Sequence, residues 1–427
     1  MAAGSTVSSA MATEEERASL VRRTTRLLVV AQAALLGTVG VVATFGPIAL
    51  FRLTGSESAG AWIIGSYYVA AAAGAVIAGR VMDRRGRRLG LALGYGLIAI
   101  SGLIAMASVA GASSAGILVS AGVMGAGAAA ALLGRTAVAD MYPPERRGRA
   151  VGTLVLAGTV GAVGGAPLGA ALHAVAGRVG LDAEIAPWIL VPLLAFLALG
   201  CVLAVRPDPR DFAVNGAGRA AAGRSPAAIL ALRPGLVAVV SIGVVQAVMS
   251  TFMGVVPVVL HRHGAGEVVV SLVVSLHLGG MFGFSRLFGG ALDRWGRRPG
   301  LGSGVVLCLG GVGLSLLAGT IVPAGGLFLI GVGWCAAYVG STAIVADLAT
   351  PAERGRALGI TDLVAALAAG GGVLAGALLL EATSFPVLAM TAIGLLLVPT
   401  ALLVPLREDG PGRWPQAVAA FHRKATV

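Results

Sequence analysis

The sequence predicts an all-α membrane protein in which twelve transmembrane helices form two pseudo-symmetric six-helix halves. Of its 427 residues, 57% are hydrophobic and only 12% are charged, and the mean hydropathy is +0.91. A soluble protein carries about twice that charged fraction. The apolar residues fall in runs of about twenty, which is the length that a helix needs to cross a hydrocarbon core about 30 Å thick.

Two motifs occur twice, which indicates that the halves are homologous. Residues 79–90 (GRVMDRRGRRLG) match residues 289–300 (GGALDRWGRRPG), so that the second copy follows the first by 210 residues. Residues 139–152 (ADMYPPERRGRAVG) match residues 346–359 (ADLATPAERGRALG) at a spacing of 207 residues. Two matches at nearly the same spacing indicate an internal duplication. A membrane protein built from two homologous halves is first of all a candidate transporter.

The spans follow from the apolar runs, and the longest internal polar stretch divides six from six. We expect a tail at 1–25, an N-terminal half at 26–206, a linker at 207–233, a C-terminal half at 234–406 and a second tail at 407–427. The linker composition predicts a flexible tether, with a short surface helix near Ala227–Leu232. The spans themselves are expected at 26–50, 59–81, 88–110, 115–141, 150–173, 186–205, 235–260, 267–292, 299–320, 324–348, 357–380 and 385–406.

The basic residues set the orientation. Lys and Arg number 31 and give a net charge of +12, but they gather in alternate loops and do not form a stripe. We count 26 of them in the tails and in the loops after even-numbered spans, against three in the opposite loops. Basic loops stay in the cytoplasm, so both termini are expected there, in a multi-pass protein of the cell inner (plasma) membrane. The partner is then a lipid bilayer, and no nucleic acid is expected.

Other function classes lack the residues they need. The three cysteines, Cys201, Cys308 and Cys335, lie inside predicted spans at no metal-like spacing. The chain shows no Ser/His/Asp set, no His-rich cluster and no phosphate-binding Gly loop followed by Lys. We therefore expect no metal, no cofactor and no enzymatic activity, and we expect a monomer that is not driven by ATP.

The repeated motifs have a physical rationale. Gly86 and Gly296 permit a tight reversal that other residues resist. Gly79 and Gly289 lie one helical turn before an aspartate and allow another helix to approach. Asp83 and Asp293 lie among arginines at the membrane interface, where ion pairs can form.

The paired G-x-x-x-D-R-x-G-R-R motif, with twelve spans divided by a basic linker, resembles the major facilitator superfamily. The resemblance covers all of the chain but the tails, and it implies the twelve-span fold of that family, transport by alternating access, and a cytoplasmic lock that holds the outward-facing state. In this lock Asp83 would face the start of span 11, where a helix dipole favours an anion, and Asp293 would face span 5.

The resemblance further implies ion pairs of Asp140 with Arg84 or Arg87, and of Asp347 with Arg294 or Arg297. Such pairs are poor evidence for stability but make a good switch. The lock residues are Gly79, Asp83, Arg84, Gly86, Arg87, Asp140, Gly289, Asp293, Arg294, Gly296, Arg297 and Asp347. The chain departs from the drug/proton antiporters of this family, because Ala121 and Met124 stand where an Arg and a Gln are usual in span 4.

Polar side chains inside spans are candidate functional residues, because burying them in hydrocarbon is costly. His277, near the midplane of span 8, and Asp362, in span 11, are candidates for proton coupling. Their alternatives are a neutral structural histidine and a carboxylate that holds Arg286 or the Asp83 lock. The resemblance implies that spans 1, 4, 7 and 10 line the path. This selects Gln32, Gln246, Trp334 and Tyr338 as cavity-lining candidates, although each is as consistent with packing.

These observations favour a secondary transporter that couples H+ to the efflux of a lipophilic or drug-like small molecule. Proton-coupled uptake of a small metabolite is the first alternative, and a transporter-like receptor that does not transport is the second. A cavity lined by Ala, Val, Met and aromatic residues suits an apolar solute better than a sugar.

The orientation makes a direct prediction. A cysteine introduced near Gly218, in the linker, should resist an impermeant thiol reagent in intact cells, because that segment lies in the cytoplasm. A cysteine near Gly180, in the loop after span 5, should react. The reverse labelling pattern would overturn the orientation and, with it, the cytoplasmic placement of the lock.

Overall fold

The computed structural model describes residues 2–56, 58–142, 144–212, 224–317, 321–349, 351–410 and 414. Throughout these ranges the secondary structure is helical, and no β-strand occurs in them. The predicted all-α class is confirmed. Residues 213–223 of the predicted linker, with Gly218, and most of the tail after Gly410 lie outside the described ranges.

The first half begins with a long helix, because residues 2–25 of the predicted tail are helical and continue into span 1. Span 4 is interrupted at Leu133, one residue before a new helix begins. Span 6 is preceded by a 3-10 turn at Ala186–Ile189. The helices are α1 (Ala2–Thr54), α2 (Ala59–Arg85), α3 (Arg87–Ala110), α4 (Ser114–Leu132), α5 (Gly134–Met141), α6 (Pro144–Val175) and α7 (Leu190–Leu203).

The second half repeats this plan after a short helix in the linker. That helix was expected at the surface, but Ile229 and Leu230 are buried, so the linker packs onto the bundle there. Span 8 is interrupted at Phe284. The helices are α8 (Pro226–Leu230), α9 (Arg233–Arg262), α10 (Glu267–Gly283), α11 (Ser285–Trp295), α12 (Arg297–Ser315), α13 (Ile321–Leu348), α14 (Pro351–Ala382) and α15 (Phe385–Leu403).

Within the described residues, 11 helical stretches are long and apolar enough to cross a membrane. The expected ninth span, α12, is not one of them, because its two leading arginines and several glycines lower its hydropathy. It nevertheless packs along α13 over much of its length, as the partner of that span in the twelve-helix bundle. Close approach at Gly304 explains this packing, since an added Cβ there would lie 2.6 Å from the Ala337 nitrogen.

The two halves meet along α2 with α14 and along α6 with α10, and α9 packs against α1 and α2. We call the end of the bundle with the arginine-rich loops the arginine face and the other end the opposite face. Near the opposite face, Gly60 and Gly254 bring α2 and α9 into backbone contact, and an added Cβ on Gly60 would overlap the Gly254 carbonyl. Toward the arginine face, an added Cβ at Gly79 or Gly289 would meet no described atom within 4 Å. Among the described residues, no helix therefore makes the close approach expected at these glycines, whereas the halves are in backbone contact near the opposite face.

Candidate functional site

Each copy of the G-x-x-x-D-R-x-G-R-R motif forms a sharp turn between two helices. Gly86 joins α2 to α3 with a φ of 99°, and Gly296 joins α11 to α12 with a φ of 103°. These are left-handed conformations that glycine adopts without a Cβ penalty. The two turns therefore have the same backbone geometry in both halves.

A carboxylate from beyond the last span of each half caps the helix after each turn. Asp208 accepts hydrogen bonds from the backbone nitrogens of Arg87 (3.1 Å) and Arg88 (3.0 Å). Glu408 accepts equivalent bonds from Arg297 and Arg298, both at 2.8 Å. An anion at a helix N-terminus satisfies free N–H groups and complements the helix dipole. Sequence reasoning missed both caps, although the two acids follow spans 6 and 12 at matching positions.

The glycine turns leave room for these caps. An added Cβ on Gly86 would overlap an Asp208 carboxylate oxygen, and one on Gly296 would lie 2.8 Å from a Glu408 oxygen. Glycine is therefore required here both by its backbone conformation and by the approach of the carboxylate. In each half, the carboxylate cap therefore joins the motif turn to the segment that follows the last span.

The ion pairs implied for the lock lie within each half. Arg87 Nε donates to Asp140 Oδ2 at 2.9 Å, and Arg297 Nε donates to Asp347 Oδ2 at 3.1 Å. Of the two arginines considered for each acid, the structure selects the one that begins the following helix. Arg84 is exposed at the end of α2, and Arg294 lies 6.0 Å from the Trp295 ring.

Asp293, one of the two aspartates assigned to the lock, pairs within its own half. Asp293 Oδ1 accepts from Arg297 Nη1 at 2.7 Å, and its side chain is 77% exposed. Among the described residues, Asp293 makes no contact with span 5 of the kind that the resemblance implies. The backbone of Asp83 lies in α2, and its side chain is outside the described part of the structure.

One ion pair connects the halves toward the arginine face. Arg135 Nη2, on α5, donates to Asp362 Oδ2, on α14, at 2.9 Å. The Tyr338 side chain of α13 interacts with both charged groups. Asp362 was expected to hold Arg286 or the Asp83 lock, and its partner is Arg135 instead. The sequence did contain a signal for this pair: Arg135 and Asp362 are two of the few charged residues inside spans, they have opposite charges, and each lies a few helical turns from the arginine face.

A polar and aromatic cluster lies deeper between the halves. Gln246 Oε1 accepts from Trp334 Nε1 at 2.5 Å, and Gln246 Nε2 donates to the Tyr68 hydroxyl at 3.1 Å and to Ser250 Oγ at 3.3 Å. The Trp334 and Tyr338 rings stack with centroids 5.0 Å apart and planes 15° apart. Gln246 is thirteen residues into α9, so it lies about 20 Å from the start of that helix, near the midplane.

Two further rings complete this set. Phe282 of α10 meets Trp334 edge-on with centroids 6.0 Å apart, and Tyr67 meets Tyr68 edge-on at 5.3 Å. We call Tyr67, Tyr68, Gln246, Phe282, Trp334 and Tyr338 the central cluster. It contains three of the five tyrosines in a chain with only 5% aromatic residues, so aromatic groups are concentrated here. Gln32 is buried on α1 beside Gly158 of α6 and is not a member of the cluster.

His277 lies away from the boundary between the halves. Its side chain is fully buried between α10 and α13, and Nδ1 is 2.7 Å from the Leu327 carbonyl oxygen. Within the described residues, Nε2 has no hydrogen-bond partner. The helices meet closely here, since a Cβ on Gly331 would lie 2.5 Å from the His277 carbonyl oxygen. This geometry resembles that of a structural histidine within the C-terminal half.

Charged and polar contacts close the opposite face. Arg52 of α1 pairs with Glu267 of α10 at 2.5 Å and also with Glu184. His173 Nε2 and His261 Nδ1 lie 3.8 and 4.0 Å from the Glu267 carboxylate. Sequence reasoning had treated Arg52 only as one of three basic residues in the outer loops.

A second link at this face joins α14 to α2. Glu381 accepts from the Trp62 indole nitrogen at 3.2 Å and from the Ser58 hydroxyl. Both links run from one half to the other. The two halves are therefore held together at the opposite face by side chains as well as by the Gly60–Gly254 contact.

Known proteins resemble this chain in fold and in sequence. Residues 28–261 and 238–424 match the family model of the Major Facilitator Superfamily. Of solved structures, the nucleoside transporter NupG (TM-score 0.70, 14% identity, 90% of this chain and 99% of that one) and a D-xylose-proton symporter (TM-score 0.65, 18% identity, 91% and 99%) share the fold.

Relatives in sequence agree with the family model. The MFS-type transporter YdeG of Bacillus subtilis (strain 168) is 30% identical over 416 residues, covering 93% of this chain and 94% of the relative. The riboflavin transporter RfnT of Brucella anthropi is 27% identical over 356 residues, covering 81% of this chain and 86% of the relative. The resemblance noted from the repeated motifs is confirmed, and the chain belongs to the major facilitator superfamily.

Proposed function

We propose that this chain, as a secondary transporter of its family, couples H+ to the efflux of a lipophilic small molecule with a flat aromatic ring system. The observation that carries the proposal is the central cluster, which lies between the halves near the midplane. The proposal also includes an orientation: the protein lies in the cell inner membrane with its arginine face toward the cytoplasm. The experiment that tests it is transport in vesicles of fixed orientation.

The central cluster supports an aromatic substrate. The Trp334–Tyr338 stack offers a flat apolar face, and rings prefer offset or edge contacts with other rings. The Gln246 amide is held by hydrogen bonds to Trp334 of one half and Tyr68 of the other. Any further hydrogen bond from this amide to a substrate therefore has a fixed direction. Binding sites for small molecules combine a mainly apolar lining with a few placed polar groups. Such a site suits a ring system with a hydrogen-bonding edge.

The contacts between the halves at the opposite face support alternating access. The Arg52–Glu267 pair and the Glu381 contacts join the halves at the opposite face, while Asp293 is 77% exposed and pairs with Arg297 of its own half. To expose the central cluster at the opposite face, the protein must break the Arg52–Glu267 pair and the Glu381 contacts. It must also bring helices together at Gly79 and Gly289. We propose that Asp83 and Asp293 then form the lock.

Proton coupling is best assigned to the Arg135–Asp362 pair. Asp362 is 38% exposed and lies at the boundary between the halves, where a proton can reach it. Protonation would remove the negative charge that holds Arg135 and would weaken this link between α5 and α14. His277 remains the second candidate, but its buried place within one half gives a proton no route in this conformation.

Uptake of a metabolite is the second candidate function. It is favoured by the similarity to the riboflavin transporter RfnT, because riboflavin contains a flat ring system with donor and acceptor atoms. The central cluster would suit such a ring equally. Efflux and uptake are distinguished by the direction of accumulation in oriented vesicles under an imposed pH gradient.

Replacement of the lock aspartates should slow transport. Asp83→Asn or Asp293→Asn should reduce turnover about tenfold, which corresponds to about 1.4 kcal/mol lost from one of the two states. Membrane insertion should be unchanged. The matched control is Glu15→Gln, which removes an exposed carboxylate near the same face. Wild-type turnover in both aspartate variants would contradict the lock.

The two coupling candidates can be separated in proteoliposomes. Asp362→Asn should abolish accumulation driven by a pH gradient while substrate exchange persists, because the variant cannot release a proton. His277→Gln keeps the hydrogen bond and the approximate size, and it should retain gradient-driven accumulation. If His277→Gln is uncoupled and Asp362→Asn is not, the assignment must be reversed.

The aromatic site can be tested by binding alone. Gln246→Leu should weaken the binding of riboflavin or of an acridine dye about fivefold, as expected for about 1 kcal/mol from a lost hydrogen bond. Gln32→Leu removes an amide of equal burial outside the central cluster and serves as the matched control. Equal losses in both variants, measured by ligand fluorescence with purified protein, would contradict this site.

A further inference from the structure

A cavity of about 620 Å³ opens at the arginine face of the N-terminal half, separate from the central cluster. It lies between the end of α2, the first turns of α3 and the chain that follows α7. Its lining combines three arginines, Arg85, Arg88 and Arg206, with apolar side chains that include Leu89 and Leu203. The packing partners of α3 and α7 are chiefly each other and the rest of their own half. The cavity therefore lies on the outside of the bundle.

The arginines give this cavity an excess of positive charge. Asp208 also lines it, but both of its carboxylate oxygens accept backbone hydrogen bonds at the start of α3. Arg85 and Arg206 are exposed, and neither forms an ion pair with a described residue. Arg88 Nη2 donates to the Leu203 carbonyl at 2.8 Å, while its Nε is buried without a partner in the described part of the chain.

The apolar side of the cavity continues onto the membrane-facing surface. Leu89 is 38% exposed and Leu203 is 46% exposed, although both lie on helices that span the bilayer. Exposed apolar side chains on such helices face lipid. The cavity thus joins a cationic end, at the level of the headgroups, to an apolar wall that runs toward the hydrocarbon.

The repeat shows that Arg85 and Arg206 are not needed for the turn. In the C-terminal half the same turn and the same carboxylate cap occur at Gly296 and Glu408. There, Trp295 takes the place of Arg85, and the buried Leu406 takes the place of Arg206. The capped turn therefore forms without either arginine, so their convergence in one half calls for a separate explanation.

We propose that this cavity binds the headgroup of an anionic phospholipid. Its phosphate accepts hydrogen bonds from Arg85, Arg88 and Arg206, and an acyl chain lies along Leu89 and Leu203. Arginine donors match phosphate oxygens well, and basic pockets at the ends of transmembrane helices suit anionic lipid headgroups. The apolar wall favours a lipid over a free phosphate as the source of the anion.

The test uses full-length protein in detergent, with bound lipid counted by native mass spectrometry. Protein is titrated with phosphatidylglycerol, phosphatidylcholine and soluble glycerol phosphate. Wild type should retain phosphatidylglycerol in preference to phosphatidylcholine. Arg85→Gln and Arg206→Gln should each weaken its binding about fivefold, equivalent to about 1 kcal/mol for each basic side chain, and about 30-fold together.

Two controls make the outcome decisive. Arg22→Gln with Arg23→Gln removes two exposed arginines of α1 and should leave phosphatidylglycerol binding unchanged. Leu203→Asn should weaken lipid binding without affecting glycerol phosphate. Unchanged binding in the Arg85/Arg206 double variant would overturn the proposal, as would equal affinity for phosphatidylcholine or for glycerol phosphate. Each single variant gives the same test if the double variant unfolds in the absence of lipid.

Discussion

The structure depends on the absence of water in the bilayer core. A polar group there must find its partner in the protein, so a few polar contacts between helices have a large effect on how those helices are placed. Among the described residues, the polar contacts between the halves are few and lie at three levels. Arg52 with Glu267 joins them at the opposite face, Gln246 with Tyr68 at the midplane, and Arg135 with Asp362 toward the arginine face.

The repeated motifs contain one part that stays fixed and one part that can change. Asp208 and Glu408 cap the helices after the two turns, and Arg87 pairs with Asp140 inside one half. None of these contacts crosses the boundary, so the halves can rotate against each other as intact units. Asp293, by contrast, is 77% exposed, as expected of a side chain that enters the proposed lock only in the other state. A transporter that alternates between two states needs both kinds of contact.

The sequence was sufficient for the fold because the bilayer imposes long apolar helices, and because the duplicated motifs aligned the halves. It was insufficient for the pairing of side chains, which depends on the rotation and tilt of each helix. Arg135 and Asp362 are 227 residues apart, and no periodicity relates them. His277 was a candidate for proton coupling because its depth can be counted along one helix, but its burial comes from the close approach of α13 at Gly331. The caps at Asp208 and Glu408 follow the last span of each half, where composition suggested only loop.

The proposed site lies where the symmetry between the two duplicated halves fails. At the 207-residue spacing of the second motif, Trp334 corresponds to Gly127 and Tyr338 to Ala131, so the stacked rings have no counterpart in the N-terminal half. Arg135 corresponds to Thr342, so the ion pair with Asp362 also lacks a symmetry mate. A solute on these rings would be held mainly by the C-terminal half, and Tyr68 would be the contact that changes as the halves rock. Tyr338 also interacts electrostatically with Asp362, so we expect the charge on Asp362 to influence the position of the rings.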